Sequence, residues 1–95
     1  MTTIVINGEN ICDLESFYDE IDRVLTNDLD MKTGHNLDAF NDILRGGFGV
    51  FDYGEPVKII WTNFSKNKDK LGNELTKKII EIIVDHNHIE FETTD

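Results

Sequence analysis

The chain has 95 residues, 39% of them apolar, and sets 19 acidic against 9 basic side chains for a net charge of −10. This length fits a single domain over residues 1–95 with a modest core, since a chain of this size buries roughly 60–65% of its unfolded surface. The charge speaks against binding DNA, RNA or anionic lipid, whose phosphates are neutralised by Lys and Arg, and it favours a basic partner drawn in by the opposite field.

Ile4-Val5-Ile6 is a β-branched run stopped by Asn7-Gly8, which predicts a strand and a turn. The same stretch lacks the basic region and the apolar length of a signal peptide. No apolar run approaches the ~20 residues of a membrane span. Cys12 is the only cysteine, so no internal disulfide is available, which fits a reducing, cytoplasmic setting. It reads as a small, partly buried apolar residue. Asp13 caps a helix in which Leu14, Phe17, Ile21, Val24 and Leu25 recur at helical spacing. Glu15, Asp19, Glu20 and Asp22 fill its wet face, and Thr26-Asn27 ends it.

Residues 27–35 lack periodicity and predict a long loop, a common place for binding groups. Asn36 then caps a second helix, with Gly46 just past its end. At about 100° per residue, Asp38, Asn41, Asp42 and Arg45 share one face, while Leu37, Phe40, Ile43 and Leu44 share the other. The apolar face docks on a core. The acidic face is either a solvated surface or a pair of carboxylates that mimics nucleic-acid phosphates. Arg45 follows Asp42 by three residues and is placed to neutralise part of its charge.

Gly46-Gly47-Phe48-Gly49 turns the chain. It lacks the Lys-Ser/Thr ending of a phosphate-binding loop. A second loop runs over residues 50–56. Val57-Lys58-Ile59-Ile60-Trp61 is apolar at four of five positions, the pattern of a strand covered on both faces. Asn63 to Leu71 holds a short helix ended by Gly72. Asn73 caps a last helix with Leu75, Ile79, Ile82 and Ile83 inward. Ile89-Glu90-Phe91 is a final strand, and the tail after it is expected to fray. Trp61, Phe40, Phe48 and Phe51 are assigned to the core. Helices between strands imply crossovers and a parallel sheet. The expectation is an α/β fold, a three-stranded parallel sheet packed with three to four helices.

His86 and His88 flank Asn87 beside Asp85. A metal site needs a third or fourth ligand in fixed geometry, and the sequence offers none, so neither metal nor cofactor is expected. Two carboxylates also suit acid–base catalysis or Mg²⁺. A catalytic pair sits in a pocket with a nucleophile or base completing the set, and this pair lies on one exposed helix face. The chain is therefore read as a binding protein and not as an enzyme.

Together these residues resemble the barstar family of intracellular ribonuclease inhibitors. Val5-Ile6-Asn7-Gly8-Glu9 resembles its opening strand and turn. Gly34-His35-Asn36-Leu37-Asp38-Ala39-Phe40-Asn41-Asp42-Ile43-Leu44 resembles its Gly-x-Asn-Leu-Asp-Ala signature with a second Asp. Gly46, the Val57–Trp61 strand, the late helix and the Ile89–Phe91 strand match in order and spacing. In that family the second helix and the loop before it plug the enzyme's active site. The resemblance implies a cytoplasmic inhibitor or immunity protein, monomeric in a 1:1 complex with a basic ribonuclease, either a secreted enzyme or a toxin domain. It implies Asp42 as the central anion and Asp38 as its neighbour. Asn36 and Gly34 fall at contact positions, Gly46 falls just beyond the helix, and His35 precedes the cap. A late-helix acid also contributes in the family, and counting back from the last strand suggests Glu81. The family's aromatic surroundings are replaced here by Lys32, Asn41 and Gly47, and its Thr after the helix by Arg45. Those departures imply a different ribonuclease as partner. The alternative is an immunity or adaptor protein that uses the same face against a partner that is not a ribonuclease.

Overall fold

The computed structural model describes residues 1–26, 36–46 and 50–95. The elements run β1 (Thr2–Ile6), α1 (Leu14–Leu25), α2 (Leu37–Ile43), β2 (Val57–Trp61), α3 (Phe64–Leu71), α4 (Asn73–Val84) and β3 (Ile89–Thr93), with a 3-10 turn at Gly8–Asn10. The strands lie in the order β1-β2-β3, all parallel. The fold is α/β, a three-stranded parallel sheet with four α-helices. The predicted loop over residues 27–35 lies outside the described residues, as do Gly47, Phe48 and Gly49.

Both crossovers step the same way along the sheet, and connections of one hand then put the helices on one face. Burial follows that rule. Ile4, Ile59 and Phe91 share one register row, and Ile6 and Trp61 share the next. Ile4, Ile6, Val57, Ile59 and Trp61 are all buried. On the other face Val5 is 44% exposed, while Lys58 and Ile60 are half-buried. The expectation that β2 is covered on both faces is therefore corrected. Its apolar run reads as two-sided only because Ile60 sits on the half-covered side.

The core is tied by aromatic contacts. Phe17 of α1 meets Phe40 of α2 edge-on at 5.6 Å and Trp61 of β2 at 5.5 Å between ring centroids. Trp61 donates its indole N–H to Asn67 Oδ1 at 2.7 Å, and Asn67 Nδ2 donates to the Gly8 carbonyl at 3.0 Å. This amide, 1% exposed, joins β2, α3 and the 3-10 turn, and buried polar groups persist only when paired in this way. Gly8 has no room for a side chain, because a Cβ there would stand 2.0 Å from the Thr62 carbonyl oxygen.

Four smaller expectations change. Glu20 is not on a wet face. It is 3% exposed, gripped by Arg23 at 2.7 and 2.9 Å, by Asn10 Nδ2 at 3.0 Å and by the Asn7 N–H at 2.8 Å. Cys12 is exposed, and its N–H donates to Ser16 Oγ at 2.8 Å just ahead of the Asp13 capping box. Asn73 does not cap α4. Gly72, at φ 90°, holds that position and offers no side chain, and Asn73 is the first helical residue. The tail does not fray at once either. Thr94 and Asp95 accept from the Phe64 and Ser65 N–H groups at 3.0 Å each. The first turn of α3 needs such acceptors, since Asn63, at φ 55°, provides no side-chain cap.

Candidate functional site

The acidic helix is built as its sequence requires. Asn36 has extended backbone, and its Oδ1 accepts from the Ala39 N–H at 2.8 Å, which closes the first turn. Phe40, Ile43 and Leu44 are buried and Leu37 is half-buried, so the apolar face is seated. Asp38, Asp42 and Arg45 are exposed. Asp38 lies in the first turn, where a negative charge is favoured by the helix N-terminus. Arg45 Nη1 lies 3.7 Å from Asp42 Oδ1, with the two side chains 53% and 65% exposed. A pair so long and so wet is worth well under ~1 kcal/mol, and Asp42 remains open to a stronger cation.

Asn41 departs from the predicted face. It is half-buried, and its Oδ1 receives the Nε2–H of His86 at 2.8 Å. His88 Nε2 donates to the Leu44 carbonyl at 2.9 Å. That carbonyl is one of those a helix end leaves without an intrahelical donor. Burial pushes the His86 pKa down, and the neighbouring His88 and Arg45 lower it further against the opposing pull of Asp85.

Between α2 and α4 runs an open groove of about 540 Å³. Leu37, Asp38 and Asn41 form one wall, and Lys78, Glu81, Ile82 and Asp85 form the other. The fold thus brings Glu81, on an element far along the chain, to the same groove as Asp38. Glu81 is exposed and stands 3.9 Å from Lys77. Sequence reasoning missed Asp85 as a member of this group. Its position one turn after Glu81 on the same helix was the available signal.

Gly46 is buried at φ 96°, and a Cβ there would lie 2.5 Å from the Asp52 carbonyl oxygen and 2.9 Å from the Phe51 ring. The glycine thus lets the chain leave α2 tightly beneath Phe51, while the Gly54 N–H bonds the Arg45 carbonyl at 2.9 Å. Gly34, His35 and Lys32 lie outside the described residues. Among the described residues no cluster of three or more His, Cys, Asp or Glu has the placement of a metal site, and no helix is long and apolar enough to cross a membrane.

Chemically, the site presents carboxylates from two helices around one groove. Nothing in that set requires a nucleophile, and all of it suits bidentate, charge-assisted contact with guanidinium groups. A family model described as Barstar (barnase inhibitor) matches residues 1–92. No match is found among curated proteins.

Proposed function

The chain belongs to the barstar family of ribonuclease inhibitors, and from that premise we propose that it is a cytoplasmic inhibitor or immunity protein that blocks the active site of a basic ribonuclease. Asp42 is the central anion, and Asp38 and Glu81 flank it. Asn36, Asn41, Arg45 and Gly46 line the contact, with Lys32, Gly34 and His35 entering from the segment before α2. One 1:1 complex closes the nuclease cleft.

The observation that carries this reading is the meeting of exposed Asp38 and Glu81 in one groove between two packed helices, with exposed Asp42 one turn after Asp38 on the same helix. A nuclease cleft that binds a phosphate backbone is cationic, and carboxylates fixed in position fill it with little loss of side-chain freedom. The barnase–barstar complex is itself the reference case for charge-steered association and for binding hot spots.

The test is a capture from cell lysate and culture supernatant with two baits, the wild type and the Asp38→Ala/Asp42→Ala double variant. The reading expects a basic nuclease on the wild type alone, whose RNA cleavage the wild type suppresses. Equal capture by both baits would place the interface elsewhere. Capture of a partner without RNase activity, again by the wild type alone, would move the assignment to an immunity or adaptor protein using the same face.

A further inference from the structure

Asn41 and Leu44 lie on the binding helix but point their polar groups inward, and both end on imidazoles of one turn. His86 holds Asn41 Oδ1 at 2.8 Å, His88 holds the Leu44 carbonyl at 2.9 Å, and the two rings meet edge-on at 5.6 Å between centroids. Both belong to the turn between α4 and β3. α2 has only seven residues, too few to persist without tertiary support. Two of the polar ties that hold its C-terminal half therefore come from a histidine pair, the side chain that titrates near neutrality. We propose that His86 and His88 are positioning residues that latch α2, and that protonation of His86 in acid loosens the face carrying Asp38 and Asp42. The consequence for partner capture rests on the inhibitor reading above. The latch itself does not.

Protonation of His86 leaves its Nε2–H donor in place and adds a charge at the other ring nitrogen. That charge is repelled from the side of His88, whose ring meets it edge-on. Arg45, at the end of α2, faces the same cleft and adds to the repulsion. Asp85 at the end of α4 opposes it. Asp42 is turned to Arg45, and Tyr53, from the loop before β2, lines the same cleft. Asp38, Glu81 and Lys78 share the adjoining groove with Asn41 and Asp85. His86 is half-buried, so its cation also lacks water. The charged turn regains water by leaving α2.

The sign is fixed by the direction of the shift. The His86 pKa is lowered from the ordinary value of 6.5, so the folded state prefers the neutral ring. The latch is complete above that value and is lost as pH falls below it through the lowered pKa. A neutral donor in place of each ring should keep the ties and remove the pH response.

The decisive measurement is amide hydrogen exchange on the free protein, corrected for the intrinsic chemical rate, at about pH 7.5 and about pH 5.5, either side of the imidazole range. The wild type is compared with His86→Gln/His88→Gln. Protection of the Phe40 and Leu44 amides in α2 is expected to fall several-fold more than that of Ile59 in β2, in the wild type only. An equal fall in α2 and β2, or the same α2 fall in the Gln variant, overturns the latch. The wild type decides the matter even where the variant fails to fold. Loosening of α2 must then track the ring titration of His86 followed by NMR, and loosening in the carboxylate range overturns the proposal. Inhibition of the nuclease that the wild type captures is measured at both pH values alongside. Failure there at both pH values counts against the inhibitor reading, while hydrogen exchange alone decides the latch.

Discussion

Asp42 is the residue on which the binding reading turns. It is 65% exposed, and its visible ion pair is a 3.7 Å contact to an equally wet Arg45. Such a group adds little to folding. Set against a guanidinium in a desolvated cleft, it has the character of a hot spot, where truncation costs about 2 kcal/mol or more. Asp42→Ala is therefore expected to weaken nuclease binding by at least about thirtyfold, since each 1.4 kcal/mol is a factor of ten. The same change relieves the like-charge spacing with Asp38, worth a few tenths of a kcal/mol. The melting temperature of the free protein should stay level or rise slightly. Calorimetric titration together with a thermal melt checks both halves, and a large drop in melting temperature would make Asp42 structural. Glu20 is the opposite case. Burial raises its pKa, but the Arg23 fork, Asn10 and the Asn7 N–H outweigh that and hold the carboxyl below the usual range. Its stabilisation is present above the unfolded value near 4.5 and is lost as pH falls through the lowered folded value. Glu20→Gln is expected to cost about 1–3 kcal/mol in urea unfolding at neutral pH. The penalty should shrink in acid, where the wild type loses the same charge.

At the scale of elements, α2 is the weak member. It has seven residues and stands on Phe40, Ile43 and Leu44, the Asn36 cap and its histidine ties. Removing the cap leaves first-turn N–H groups without an acceptor. Asn36→Ala is expected to lower stability by about 0.5–2 kcal/mol, and Asn36→Ser to recover most of it. Because the helix carries both carboxylates, the Ala variant should also bind the nuclease more slowly than its stability alone accounts for. Stopped-flow association of Asn36→Ala and Asn36→Ser, with unfolding curves for each, separates the two effects. By contrast α1 is locked by a reciprocal capping box between Asp13 and Ser16 and by Phe17 and Ile21, each 0% exposed. It serves as the platform on which Phe40 rests.

At the scale of the molecule, the net charge of −10 acts through space. Opposite fields raise the rate of encounter, and salt screens them over a Debye length of about 8 Å at physiological ionic strength. Raising salt from about 0.05 M to about 0.5 M should slow association with the nuclease by tenfold or more, and it should change dissociation far less. Surface plasmon resonance across that range reads both rates. An association rate indifferent to salt would remove charge steering from the account. The open outer face of the sheet bears on the same point. Lys58 lies 3.9 Å from both Glu90 and Glu92 there, so positive charge on that face is partly matched, whereas the groove sets Asp38, Glu81 and Asp85 against Lys78.

The linear sequence was sufficient for most of what depends on local period and local capping, though not for the α4 cap, which falls to Gly72 and not to Asn73, nor for Asn41, which turns from the acidic face to His86. The order of strands and helices, the Asp13 and Asn36 caps, and the split of α2 into a seated face and an acidic face follow from spacing alone, because side-chain direction in a helix is set within one turn. The Asn-Leu-Asp-Ala block with its second Asp, together with the chain length and the order of strands, likewise carried the family. What the sequence could not decide lies between elements. Glu20 looks solvent-facing by periodicity and becomes buried because Asn7 and Asn10, in a turn on another element, complete its shell. Asn67 looks like one more polar residue of a short helix and proves to be a buried bridge from Trp61 to Gly8. The joining of Glu81 and Asp85 to Asp38, and of His86 and His88 to α2, needs the crossover through β2 that lays α4 beside α2. Hydrogen bonds and charges act over a few ångströms of space, and only the folded sheet turns 44 and 45 residues of sequence separation into that distance.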